Sequence, residues 1–62
     1  MITLYYLPFK NSRLWRKSSL TMHPAGINNM QKDAESLARQ NGWHKWEIRQ
    51  GDICLRKGEY LK

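Results

Sequence analysis

A single stretch of helical periodicity, NNMQKDAESLARQNG at residues 28–42, constrains the fold more than any other feature of this chain. Met30, Ala34, Leu37 and Ala38 recur at i, i+4, i+7 and i+8 and share one helical face. Asn28 followed by Gln31 fits a capping box, with Asn29 as the competing cap. Asp33 and Glu35 lie in the N-terminal half and Arg39 near the C-terminus, as the helix dipole favours. Asn41-Gly42 supplies a left-handed stop, so the helix is predicted over 29–41. One helix covers only one face of a sheet, so the other face of whatever sheet this chain forms is left open.

The rest of the chain reads as strands. ITLYYL (2–7) is β-branched and aromatic, and Pro8 ends it. RLWRKSSLTM (13–22) reads as a second strand weakened by its serines, and HPAGIN is a loop punctuated by Pro24 and Gly26. WHKWEIRQ (43–50) alternates with period two, Gly51-Asp52 is a tight turn, and ICLRK (53–57) is a last strand that GEYLK extends or frays. The expected fold is α+β: ββαββ, a four-stranded antiparallel sheet with one helix packed on one face, in a single domain spanning 1–62.

Alternation along the strands sorts side chains into two sets. The helix-facing set is Ile2, Leu4, Tyr6, Leu14, Leu20, Trp46, Ile48, Ile53 and Leu55, joined by Ile27, Met30, Ala34 and Leu37. In the second strand, Arg16 and Ser18 fall on this inward side, so either Arg16 snorkels past the sheet edge or a bulge shifts the register. The open face collects Tyr5, Leu7, Arg13, Trp15, Lys17, Trp43, Lys45, Arg49, Cys54 and Arg56, with Glu47 as its one acid.

Charge bears on partners rather than on fold. The net charge is +6, and it is uneven: residues 1–32 hold Lys10, Arg13, Arg16, Lys17 and Lys32 and no acid, whereas residues 33–62 hold six cations and five acids. Tyr5, Arg13, Trp15, Arg16, Lys17, Lys45, Arg49 and Arg56 are the candidate binding residues. Aromatic rings among cations on an open sheet are the layout of a single-stranded nucleic-acid platform, on which bases stack while cations track the backbone. The same residues suit a protein-docking patch. They also suit a plain structural role, in which Trp15 and Tyr5 shield the second side of a thin domain and the cations serve solubility.

Other chemistry lacks its residues. His23, His44 and Cys54 have no metal-ligand spacing. Cys54 and His44 fall on opposite faces, which argues against a nucleophile–base pair. Asp33 and Glu35 diverge on the helix, and the four glycines form no phosphate loop. No enzyme activity, metal or cofactor is therefore expected. A lone cysteine suits a reducing cytoplasm. The N-terminus lacks the basic start and the apolar run of a signal peptide, no stretch reaches the ~20 apolar residues of a membrane span, and the helix is a poor membrane-surface helix.

A helix ending in LARQNGW, the strand KWEIRQ, the turn GD and the strand ICLRKG, over roughly residues 30–58, resemble small phage and prophage accessory proteins. Two groups are similar in layout: short enterobacterial prophage proteins of unassigned function, and type I anti-CRISPR proteins with one helix on an antiparallel sheet. The resemblance implies a stoichiometric binder that occupies a surface of its target. The leading expectation is a non-enzymatic protein whose basic, aromatic face docks on nucleic acid or on a nucleoprotein complex. The alternatives are an inhibitor that binds an acidic protein surface, and a small homodimer that buries its open face against itself.

Overall fold

A computed structural model describes residues 1–59. The chain runs β1 (Ile2–Leu7), β2 (Arg16–Met22), α1 (Ile27–Asn41), β3 (Lys45–Gln50) and β4 (Ile53–Glu59), with a short 3-10 turn at Pro24–Gly26. The strands form one antiparallel sheet in the order β2-β1-β3-β4. This is the expected ββαββ architecture. Residues 60–62, the end of the GEYLK extension, lie outside the described residues.

The helix packs chiefly on the two central strands, β3 and β1. Ile2 and Leu4 from β1, Met30, Ala34 and Ala38 from α1, and Trp46 and Ile48 from β3 make the core, with Leu20, Met22, Ile27 and Leu37 packed around it. The apolar stripe read from the sequence is thus the buried face of α1, except that Leu37 is only half-buried.

The ends of α1 are built differently from each other. At the C-terminus Gly42 takes the left-handed conformation (φ 69°), as expected. Its N–H donates to Ala38 O, and so does the N–H of Trp43, at 3.0 Å. At the N-terminus neither Asn28 nor Asn29 is the cap. Pro24–Gly26 forms a 3-10 turn whose own cap is His23, with Nδ1 accepting from Ala25 N–H at 3.0 Å. The turn leads straight into α1, so the helix starts at Ile27 and both asparagines lie within its first turn.

Four core assignments are corrected. Leu14 is 82% exposed, because β2 begins at Arg16 and Leu14 sits in the β1–β2 loop. Ile53 (65% exposed) and Leu55 (38%) lie on edge strand β4 and stay outside the core. Trp43, assigned to the open face, is buried instead. It precedes β3 and has no strand parity to obey. The Gly42 turn carries its indole onto Tyr6, with ring centroids 4.1 Å apart and planes within 9°. His44 N–H donates to Leu7 O at 2.8 Å and fixes this connection to the end of β1.

Both edge strands are irregular, with opposite consequences. Along β2 the register moves from Thr3↔Thr21 to Tyr5↔Lys17, which inserts two extra residues. Ser18 Oγ accepts from Leu20 N–H at 3.1 Å there, a local bond that competes with the strand ladder. Two extra residues leave parity unchanged, so Leu20 still packs on the core. Along β4 the register moves from Arg49↔Cys54 to Ile48↔Arg56, which inserts only Leu55. One extra residue reverses parity.

Candidate functional site

Between β1, β3 and β4 the open face carries Thr3, Tyr5, Lys45, Glu47, Arg49, Cys54, Lys57 and Glu59, as the register dictates. Lys17 joins them opposite Tyr5. At its centre is a layered arrangement. The Arg49 guanidinium carbon lies 4.6 Å from the Tyr5 ring centroid and 5.0 Å from that of Trp15. Glu47 fixes the same guanidinium in two places: Oε1 is 2.7 Å from Nη2 and accepts from Nε–H at 2.8 Å. Arg49 is therefore occupied. It does not offer a free charge to a ligand; it holds Trp15 over the sheet. Trp15 lies in the loop immediately before β2, yet its indole reaches across to β3 and β4 and remains partly exposed.

Beside the Trp15 ring is an open hollow of about 380 Å³, lined also by Lys45, Trp46, Glu47, Lys57, Gly58 and Glu59. Its two acids are both engaged. Glu47 pairs with Arg49, and Glu59 lies 3.7 Å from Lys45 Nζ. The Lys45–Glu59 pair is exposed and of the kind that contributes at most about 1 kcal/mol, so it opens readily to a competing anion. Lys57 makes no ion pair among the described residues. A larger hollow, about 630 Å³, lies between β2 and α1. The stacked Tyr6 and Trp43 line it together with Asp33 and three serines, and Lys17, which also lines it, has open-face parity, so the hollow gathers no cationic cluster.

The structure brings five of the eight candidate residues to this face: Tyr5, Trp15, Lys17, Lys45 and Arg49. Arg13 is exposed in the neighbouring loop rather than on a strand. Arg16 and Arg56 do not belong to the open face. Arg16 pairs with Tyr6 and keeps the helix-side parity, exposed at the sheet edge. Arg56 is turned to the helix side by the β4 bulge, where its Nη1 donates to Gln31 Oε1 at 2.6 Å. The same bulge delivers Lys57 to the open face in place of Arg56. Regular alternation could not have placed Lys57 there, because nothing in ICLRK marks the extra residue. Leu7 has open-face parity but is only 8% exposed.

Cys54 is a free, exposed thiol opposite Arg49, with its S–H donating to Arg56 O at 3.4 Å. Partial desolvation, with the Glu47 carboxylate second, raises its pKa above the ordinary thiol value. A raised thiol pKa favours the folded state at lower pH and loses that contribution as pH rises through the alkaline range. The thiolate is the nucleophile, so Cys54 is a poor one near neutrality. Cys54 is expected to alkylate more slowly than glutathione at neutral pH in a thiol-trapping time course, and Cys54→Ser to leave ligand binding unchanged. Faster alkylation, or lost binding, would assign the thiol a role at the site.

Among the described residues no cluster of three or more His, Cys, Asp or Glu side chains could hold a metal ion, and no helix is long and apolar enough to cross a membrane. No family model, curated protein or solved structure matches this chain.

Proposed function

We propose that this protein is a non-enzymatic binding module that takes single-stranded nucleic acid, free or within a nucleoprotein complex, on its open sheet face. The observation that carries the reading is the Trp15 indole, held over the sheet by Arg49 and partly exposed, beside a hollow bordered by Lys45 and Lys57. A base stacks on the indole. Lys45, Lys57, Lys17 and the loop residue Arg13 meet the phosphates. Tyr5 and Arg49 act as the support that keeps the ring in place, rather than as direct contacts. Clamping a ring that only shields the sheet would not require cations around it without acidic partners, and Arg13, Lys17 and Lys57 have none among the described residues.

Titration with single-stranded oligonucleotides at two salt concentrations tests this. Trp43 and Trp46 are buried, so quenching of tryptophan emission reports mainly on Trp15. Trp15→Ala is expected to lose about 1–3 kcal/mol of binding. Arg13→Ala and Lys17→Ala should each reduce the slope of log affinity against log salt by about one unit. Lys32→Ala, on the helix, is the control and should change little. Equal behaviour of all four variants would remove the reading.

A second reading is favoured by Ile53 and Leu55, which stand exposed on edge strand β4. On it the partner is an acidic protein surface, with Ile53 and Leu55 supplying apolar contact beside the cations. Wild-type protein with no affinity for oligonucleotides, but with a host protein partner that resists nuclease treatment, would favour it.

A further inference from the structure

The β1–β2 loop carries two large apolar side chains that the fold does not use. Phe9 is 65% exposed and Leu14 is 82% exposed. A turn closed by Ser12 N–H donating to Phe9 O at 3.1 Å lies between them. Lys10 and Arg13 lie within the same loop, and Arg16 and Lys17 directly follow it. All four are exposed, and no acid occurs before Asp33. Exposed apolar side chains among unopposed cations suit a partner that is anionic outside and apolar just beneath.

We propose that this loop is an end-stacking wedge, with Phe9 and Leu14 covering the terminal base pair where a duplex passes into a single strand. The inference rests on the reading of the open face as a single-strand platform and names the form of nucleic acid that the whole surface fits. Phe and Leu are among the side chains that enter between base steps and unstack them. Within an intact duplex that entry sacrifices stacking. At a junction the last pair already presents a bare π-face, so the contact is gained without that loss. Trp15, one residue beyond Leu14, would then take the first unpaired base. A lipid surface fits the same loop less well: the Trp15 ring is engaged with Arg49 on the sheet and so is not available to insert, and Arg16 and Lys17 belong to β2 rather than to the loop.

The test compares three fluorescent DNAs — a single strand, a blunt duplex, and a duplex with a single-stranded tail — titrated with wild type, the Phe9→Ala/Leu14→Ala double variant and Trp15→Ala. Both truncated side chains are exposed, so the double variant should fold. Wild type is expected to bind the tailed duplex about 5- to 150-fold more tightly than the single strand, the range of one added stacking contact. The double variant should lose that preference, keep its single-strand affinity within about twofold, and keep its salt slope, since no charge is removed. Trp15→Ala should weaken binding to the tailed duplex and the single strand together. If wild type binds single strands but shows no preference for the tailed duplex, or if the double variant keeps the preference, the wedge is wrong and the platform stands. If wild type binds none of the three, the platform reading fails and takes the wedge with it. If no junction preference is found and the double variant instead loses co-sedimentation with phosphatidylserine vesicles, this is a lipid-docking loop and the proposal is overturned.

Discussion

Met30→Ala is expected to cost the fold about 2–5 kcal/mol, read as a lowered midpoint in chemical denaturation. Met30 is fully buried, as are Ile2, Leu4 and Ile48 in the same cluster. Truncating it leaves a cavity at the centre of the helix–sheet contact. The loss is large against the whole: at typical stability per residue, a chain of 62 residues holds roughly 3–9 kcal/mol in total. Leu37→Ala, on the same apolar stripe, is expected to cost distinctly less, because Leu37 is half-buried beside the hollow under β2. Periodicity alone gives Leu37 full core weight. A greater loss at Leu37 than at Met30 would mean that α1 is rotated about its axis relative to the sheet.

Gly58→Ala is expected to destabilise by about 1–3 kcal/mol, the range of overpacking. A Cβ at Gly58 would overlap the six-membered ring and the Nε1 of the Trp46 indole. Trp46 faces Gly58 across the β3–β4 ladder and is 5% exposed within the core cluster, so moving its indole off the added methyl disrupts core packing. The sign of the effect is the test. Gly58 has no positive φ. For a strand glycine with free space above it, alanine would instead stabilise by about 0.5–1 kcal/mol through lost chain entropy. A raised denaturation midpoint would therefore show that Trp46 does not lie over Gly58. A lowered midpoint with a red shift of tryptophan emission would show the ring being driven out of its site.

The pattern of residues was enough to define several elements to the residue. β1 over 2–7 follows from a β-branched and aromatic run closed by Pro8, and the end of α1 follows from Asn41-Gly42. The two-layer architecture follows from there being one apolar helical stripe among alternating strands. Period-two reasoning also placed Tyr5, Lys45 and Arg49 on the uncovered face, because β1 and β3 are regular where they pair, and Lys17, because the β2 irregularity adds an even number of residues. The start of α1 was less legible. Asn28 and Gln31 have the spacing of a capping box, but Pro24 and His23 nucleate a turn upstream that carries helical geometry past the asparagines.

Only the tertiary structure decided what happens where the alternation is interrupted. Trp43 stands between a helix stop and a strand, where no parity applies; burial of a large indole against Tyr6 settles its direction. Trp15 is likewise outside β2, and its place over the sheet comes from Arg49 on β3, a residue far away in sequence. The bulges make the point most sharply. Side chains alternate with period two, so an insertion of two residues in β2 is silent: Arg16 and Leu20 keep the side that simple counting assigns. An insertion of one residue in β4 is not silent: it sends Arg56 to Gln31 on the helix side and brings Lys57 to the open face. Counting along the chain determines a face only modulo two, and whether a strand carries an odd insertion is settled by the partner strand against which it must keep its hydrogen bonds.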